Sequence, residues 1–150
     1  KTSDHEAFLK KKRAYFLQNN RAEPFKGMQA CLQALKGKYK LGVASGADRT
    51  IVNARMDRFY PGIFEVIVSG EDVTHGKPDP EPYLTAARKL GLETEECIVI
   101  ENAPLGIQSA KNAGIYCVAV PTYLPKEKLM DADMVLVDHA ELITYLSRLV

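Results

Sequence analysis

A doubly wound α/β fold, a parallel sheet with helices on both faces, is what this sequence predicts, and three observations predict it. Runs of four or five residues, apolar except for Glu65, recur at 41–44, 64–68, 97–100, 116–120 and 134–137. The stretches between them repeat their apolar residues at helical spacing. Strands that short and that apolar, alternating with helices, belong to a parallel sheet covered on both sides.

The elements follow in order. Ser3 and Glu6 read as a capping box, in which Ser3 accepts from the Glu6 N–H while the glutamate reaches back. The helix it opens is expected to run to about Asn19, with Phe8, Leu9, Tyr15 and Phe16 on one face. Asn19-Asn20 and Glu23-Pro24 end it and mark a boundary. Met28, Leu32 and Leu35 share the face of a second helix, which Gly37 stops. The strand over 41–44 carries Ser45 and Gly46 at its tip. Val52, Met56 and Phe59 define the next helix, and a strand over 64–68 ends in Ser69-Gly70-Glu71-Asp72. The loop His75-Gly76-Lys77-Pro78 leads into a helix with Asp79 as N-cap and Pro80 at its first position. Tyr83, Ala87 and Leu90 make its inner stripe, and Gly91 ends it. The strand over 97–100 stops at Glu101 and Asn102, Pro104 begins a helix, and Gly114 closes it. After a strand over 116–120, Pro121 and Pro125 bracket a loop, and 134–137 is the last strand. Asp138 and Glu141 cap the final helix, whose Leu142, Leu146 and Leu149 face inward.

Composition excludes several functions. A length of 150 residues allows one domain with a sizeable core, and 46% hydrophobic with 26% charged residues is ordinary for a soluble protein. The net charge of +1 selects no partner, and the dense basic run Lys10-Lys11-Lys12-Arg13 falls on a predicted helix, where a solvated face explains it. Nucleic acid is therefore not expected as a partner. A membrane is not expected either, since no apolar run approaches the ~20 residues that span a bilayer and no segment reads as a signal peptide. Cys31, Cys97 and Cys117 cannot pair completely and lack metal-ligand spacing, which points to a reducing cytoplasm. The chain does not open with Met, which points to a fragment or a processed product.

Three polar loci sit at or just beyond strand tips, where open α/β sheets bind ligands. Ser45 offers a hydroxyl, and Gly46 lets backbone N–H groups approach a ligand closely. Lys77 is a compact cation at a loop end, and Glu101 and Asn102 are oxygen donors. A hydroxyl, an ammonium and a carboxylate on one edge suit a phosphoryl group with Mg²⁺. Each has a plainer alternative: a helix cap for Ser45-Gly46, a surface lysine for Lys77, a strand-end turn for Glu101-Asn102. Arg49 reads as a surface arginine and His75 as a loop-shaping residue.

GVASGADR, HGKPDPEPY and IVIENAPLGIQSAKNAG resemble the second, third and fourth motifs of the haloacid dehalogenase superfamily, most of all its beta-phosphoglucomutase-like phosphatases. The resemblance implies a Rossmann-like α/β/α core over residues 24–150, preceded over 1–23 by the remnant of a helical cap. It implies that Ser45 and Gly46 bind the transferring phosphoryl, that Lys77 pairs with it and with a nucleophilic carboxylate, and that Glu101 and Asn102 help to hold Mg²⁺. Two departures stand out. The second acidic position, usually Asp, is Asn102, which keeps an oxygen donor and loses a charge. The first motif, a strand followed by Asp-x-Asp that supplies the nucleophile and the acid/base, has no counterpart. Asp131-Ala132-Asp133 has the letters but precedes a strand, so its carboxylates belong at the wrong edge.

In the family fold the missing strand is central, between the strands ending at Ser45 and Glu101, so the sheet is expected to be open there. A segment upstream or a second chain would complete it. The expected parent is a Mg²⁺-dependent phosphatase or phosphomutase acting through an aspartyl-phosphate on a small phosphorylated metabolite such as a sugar phosphate. The alternative is a catalytically inactive phosphate-binding or protein-interaction module on the same scaffold. A dehalogenase shares the fold, but the charged GKPDP loop and the acidic pair at the metal position favour phosphate chemistry.

Overall fold

The structure, a computed structural model, describes residues 22–150 together with Ala7, Lys11 and Ala14. The predicted first helix, with its capping box and its aromatic face, lies outside the described residues, as does the basic run apart from Lys11.

Five helices and five strands alternate through the described core. They are α1 (Met28–Leu35), β1 (Gly42–Ala44), α2 (Arg49–Phe59), β2 (Val66–Val68), α3 (Glu81–Leu90), β3 (Ile98–Glu101), α4 (Pro104–Asn112), β4 (Tyr116–Ala119), β5 (Met134–Val135) and α5 (His139–Ser147). Every strand pairing is parallel. Alternation along β4 divides the core into two layers. Cys117 and Ala119 face a cluster with Tyr83, Val99, Ile107 and Leu129. Val118 and Val120 face another with Met28, Leu35, Leu142 and Leu146. Helices α3 and α4 therefore cover one side, and α1 and α5 the other.

The sheet is in two parts, β1-β2 and β3-β4-β5. The opening lies between β1 and β3, where the resemblance places the absent strand. A cavity of about 300 Å³ occupies it, lined by Leu35, Leu41, Tyr83, Ala87, Val99 and Leu146. It leaves Ile98 and Ile100 of β3 at 46% and 38% exposure.

Most boundaries fall where periodicity put them, with small shifts. The strands expected over 64–68 and 134–137 are shorter, although Glu65 N still donates to Leu41 O at 2.8 Å and Leu136 N to Ala119 O at 2.9 Å. Cys97 precedes β3 instead of opening it, its thiol donating to Glu93 O. Helix α3 begins at Glu81, with Pro80 as its cap residue. Asp79 instead accepts from Glu81 N at 2.9 Å, a cap displaced by one residue in a run of three prolines. At α5, Asp138 accepts from Glu141 N as expected, but Glu141 reaches back to Val137 N.

Candidate active site

The three strand-tip loci meet. Ser45 leaves β1 with its N–H donating to Val68 O at 2.8 Å, and its Oγ accepts from Ala47 N at 3.2 Å. The hydroxyl proton remains for another acceptor. The turn is pressed against the tip of β2, where Gly70 N donates to Ala47 O at 3.0 Å; a Cβ at Gly70 would sit 2.8 Å from Gly46 O. Only glycine allows that approach.

Lys77 reaches in from the loop before α3. That loop is tied to α4, with Ser109 Oγ donating to Asp79 O at 2.6 Å and Asn112 Nδ2 to Pro78 O at 3.0 Å. The Lys77 ammonium donates to Ala44 O (3.2 Å), to the Tyr83 hydroxyl (2.8 Å) and to Glu101 Oε1 (2.6 Å). One cation thus bridges the ends of β1 and β3 across the open sheet.

Glu101 lies on the same face of β3 as Val99, which turns its carboxylate inward toward α3 and α4. Its side chain is only 8% exposed. Oε1 accepts from Lys77 and from the Tyr83 hydroxyl at 2.7 Å, and Oε2 from Asn102 N at 2.7 Å and Ala103 N at 3.0 Å. Burial pushes the Glu101 pKa up, but the Lys77 charge and these donors outweigh it and hold the carboxyl below its ordinary range. Burial and then the Glu101 charge push the Tyr83 phenol up, so it stays protonated. Helix α4 makes room for the carboxylate by having no side chain at Gly106, where a Cβ would lie 1.9 Å from Glu101 Oε1. Asn102 is half-buried beside it.

Tyr83 and Gly106 were not singled out for the site by sequence reasoning. Tyr83 lies on an apolar helix stripe, and its only signal was a hydroxyl on a core-facing position six residues after Lys77. Gly106, in the first turn of α4, carried none.

The residues set aside from the site are accounted for. Arg49 pairs with Asp72 at 2.8 Å and so binds the start of α2 to the tip of β2. His75, Asp79 and Glu81 have ligand atoms within 4.8 Å of one another, but the Glu81 oxygens accept from Thr74 N and His75 N, which shapes the loop. Asp133 binds Lys111 and accepts from Cys117 N near the start of β4, the edge opposite Glu101.

Acid should destabilise this fold in two stages. The pKa of His139 is lowered by burial, and those of Asp72, Asp133 and Glu101 by their donors. In each case the unfolded chain binds more protons, so stability falls as pH falls. The expected thermal midpoint declines first below about pH 6.5, from the histidine, and again below about pH 4.5 as the carboxylates protonate. A midpoint that rises between pH 7 and 4 would contradict these pairings.

A parallel α/β core thus gathers a hydroxyl, an ammonium and a carboxylate at its strand tips. The chain belongs to the haloacid dehalogenase-like hydrolase family, which it matches over residues 1–120. It is 36% identical over 115 residues to the validoxylamine A 7'-phosphate phosphatase of Streptomyces hygroscopicus subsp. limoneus, covering 76% of this chain and 54% of that protein. CbbY from Rhodobacter sphaeroides, solved in complex with phosphate, superposes with a TM-score of 0.71 at 30% identity, over 78% of this chain and 55% of that one. The beta-phosphoglucomutase of Clostridium difficile does so with a TM-score of 0.69 at 27% identity, over 81% and 54%. The chain thus spans about half the length of these relatives. Among the described residues no helix is long and apolar enough to cross a membrane.

Proposed function

We propose that the protein containing this chain is a phosphatase or phosphomutase acting on a small phosphorylated metabolite of the sugar-phosphate class. The convergence of Ser45, Lys77 and Glu101 carries this reading, and the phosphate bound to CbbY and the phosphatase relatives support it.

The roles follow from the contacts. The Ser45 hydroxyl and the backbone N–H groups around Gly46 donate to phosphoryl oxygens. Of the three acceptors of the Lys77 ammonium, Ala44 O is the most distant at 3.2 Å, and a phosphoryl oxygen displaces that contact first. Carboxylate and amide oxygens at the tip of β3, from Glu101 and Asn102, are the donor types a hard cation such as Mg²⁺ takes. When bound, it neutralises charge on the transferring group. The nucleophile is an aspartate on a strand between β1 and β3, provided by an upstream segment or a second chain. Its carboxylate forms a bond to phosphorus while the ester P–O bond breaks, and the leaving oxygen takes a proton from the acid/base aspartate of the same motif; that aspartate then takes a proton from the water that hydrolyses the acyl phosphate to phosphate and the free carboxylate. The three free cysteines favour a reducing cytoplasm as the site of action.

The test is phosphate release from a panel of sugar phosphates with Mg²⁺, on protein that includes the first-motif strand. Ser45→Ala should lower kcat about 10²- to 10³-fold, the usual loss for one donor to developing charge. Phosphate binding with no turnover would favour the inactive module instead.

A further inference from the structure

We infer that Tyr83 is a positioning residue of this site, clamping Lys77 and Glu101 together so that Glu101 serves as the anchor of the lysine and not as a direct cation ligand. The inference rests on the function proposed above only for the cation, and there it withdraws Glu101 as a direct donor and leaves Asn102 in that role.

The geometry is a closed triangle. The Tyr83 hydroxyl accepts from Lys77 Nζ at 2.8 Å and donates to Glu101 Oε1 at 2.7 Å, while Lys77 Nζ donates to the same oxygen at 2.6 Å. The ammonium also lies 4.6 Å from the centroid of the Tyr83 ring, within cation–π range. Tyr83 is 7% exposed and stands on α3, so the triangle is fixed by a rigid element and not by a loop.

Counting acceptor sites gives the consequence for Glu101. A carboxylate has about four lone-pair sites. At Glu101 two donors meet Oε1 and two meet Oε2. A cation could bind this carboxylate directly only by displacing one of them, and Gly106 packs against the same oxygens. From this strand tip the direct oxygen donor is then Asn102. The triangle holds the ammonium between the tips of β1 and β3, and the Glu101 charge sets its position from below.

The experiment is proton–nitrogen correlation NMR of the chain and of its Tyr83→Phe and Glu101→Gln variants, with Mg²⁺ titrated into each. Three donated hydrogen bonds slow the exchange of the Lys77 ammonium protons, so its cross-peak is expected in the parent chain. Tyr83→Phe should shift or erase that cross-peak, while the strand amides and the Mg²⁺ affinity stay within about threefold of the parent, well short of the tenfold that 1.4 kcal/mol represents. Glu101→Gln should also erase it and keep measurable Mg²⁺ binding. An unchanged Lys77 cross-peak in Tyr83→Phe overturns the inference, as does abolished Mg²⁺ binding in Glu101→Gln with the cross-peak intact. If the parent chain binds no Mg²⁺, the cation reading of this chain fails, and the Lys77 cross-peak in Tyr83→Phe still decides whether Tyr83 positions it.

Discussion

Lys77→Met is expected to destabilise the fold by about 3–5 kcal/mol, the usual result of removing one partner from a buried ion pair. The methionine keeps most of the lysine stem, so the loss isolates the charge. What remains is Glu101, at 8% side-chain exposure, with its charge no longer compensated by a cation. For a chain of this size that corresponds to a thermal midpoint lower by on the order of 10 °C. The Glu101 carboxyl should escape part of the penalty by protonating, which raises its pKa from the depressed value it holds beside Lys77. Adding Glu101→Gln to Lys77→Met removes the orphaned charge and should recover more than half of the loss, a coupling that a double-mutant cycle reads directly. Equal and additive losses in the two single variants would mean that the pair is not an interacting unit.

Gly106→Ala is expected to destabilise by about 2–4 kcal/mol, against the rule for helices. By propensity alone, alanine in a helix is favoured over glycine by about 1 kcal/mol. Here the added methyl would lie 1.9 Å from Glu101 Oε1 and 2.0 Å from its Cδ. The end of a flexible side chain often moves aside cheaply, but this one is held by four donors. Moving it breaks the contact with Lys77, a cost of about 3–5 kcal/mol that exceeds the helix gain. Chemical denaturation measures the difference, and a stabilised Gly106→Ala protein would show that the carboxylate can leave its cradle freely.

What could be read from the sequence divides along a physical line. Strand tips are legible because a polar pair after an apolar run, such as Ser45-Gly46 or Glu101-Asn102, changes character abruptly. The gap in the sheet was legible as a missing first motif, and it appears as the break between β1 and β3. Partnerships across the fold were not legible. Lys77 and Glu101 are 24 residues apart, and each was read as facing a ligand; that they face each other depends on α3 and β3 packing side by side. Tyr83 was read as core because it is core, and helical periodicity does not show that a hydroxyl on that stripe meets two charges. Asp79 was misplaced by one position because three closely spaced prolines offer more than one first turn.

In the function proposed here, the tips of β1 and β3 and the loop of Lys77 form one anion site. The direct measurement is an NMR titration of the chain with inorganic phosphate in the presence of Mg²⁺. The predicted result is concerted movement of the Gly46 and Ala47 amides, the Lys77 ammonium and the Asn102 side-chain amide, all with one dissociation constant. Saturating phosphate that leaves these signals in place, or that moves them with separate constants, would contradict it.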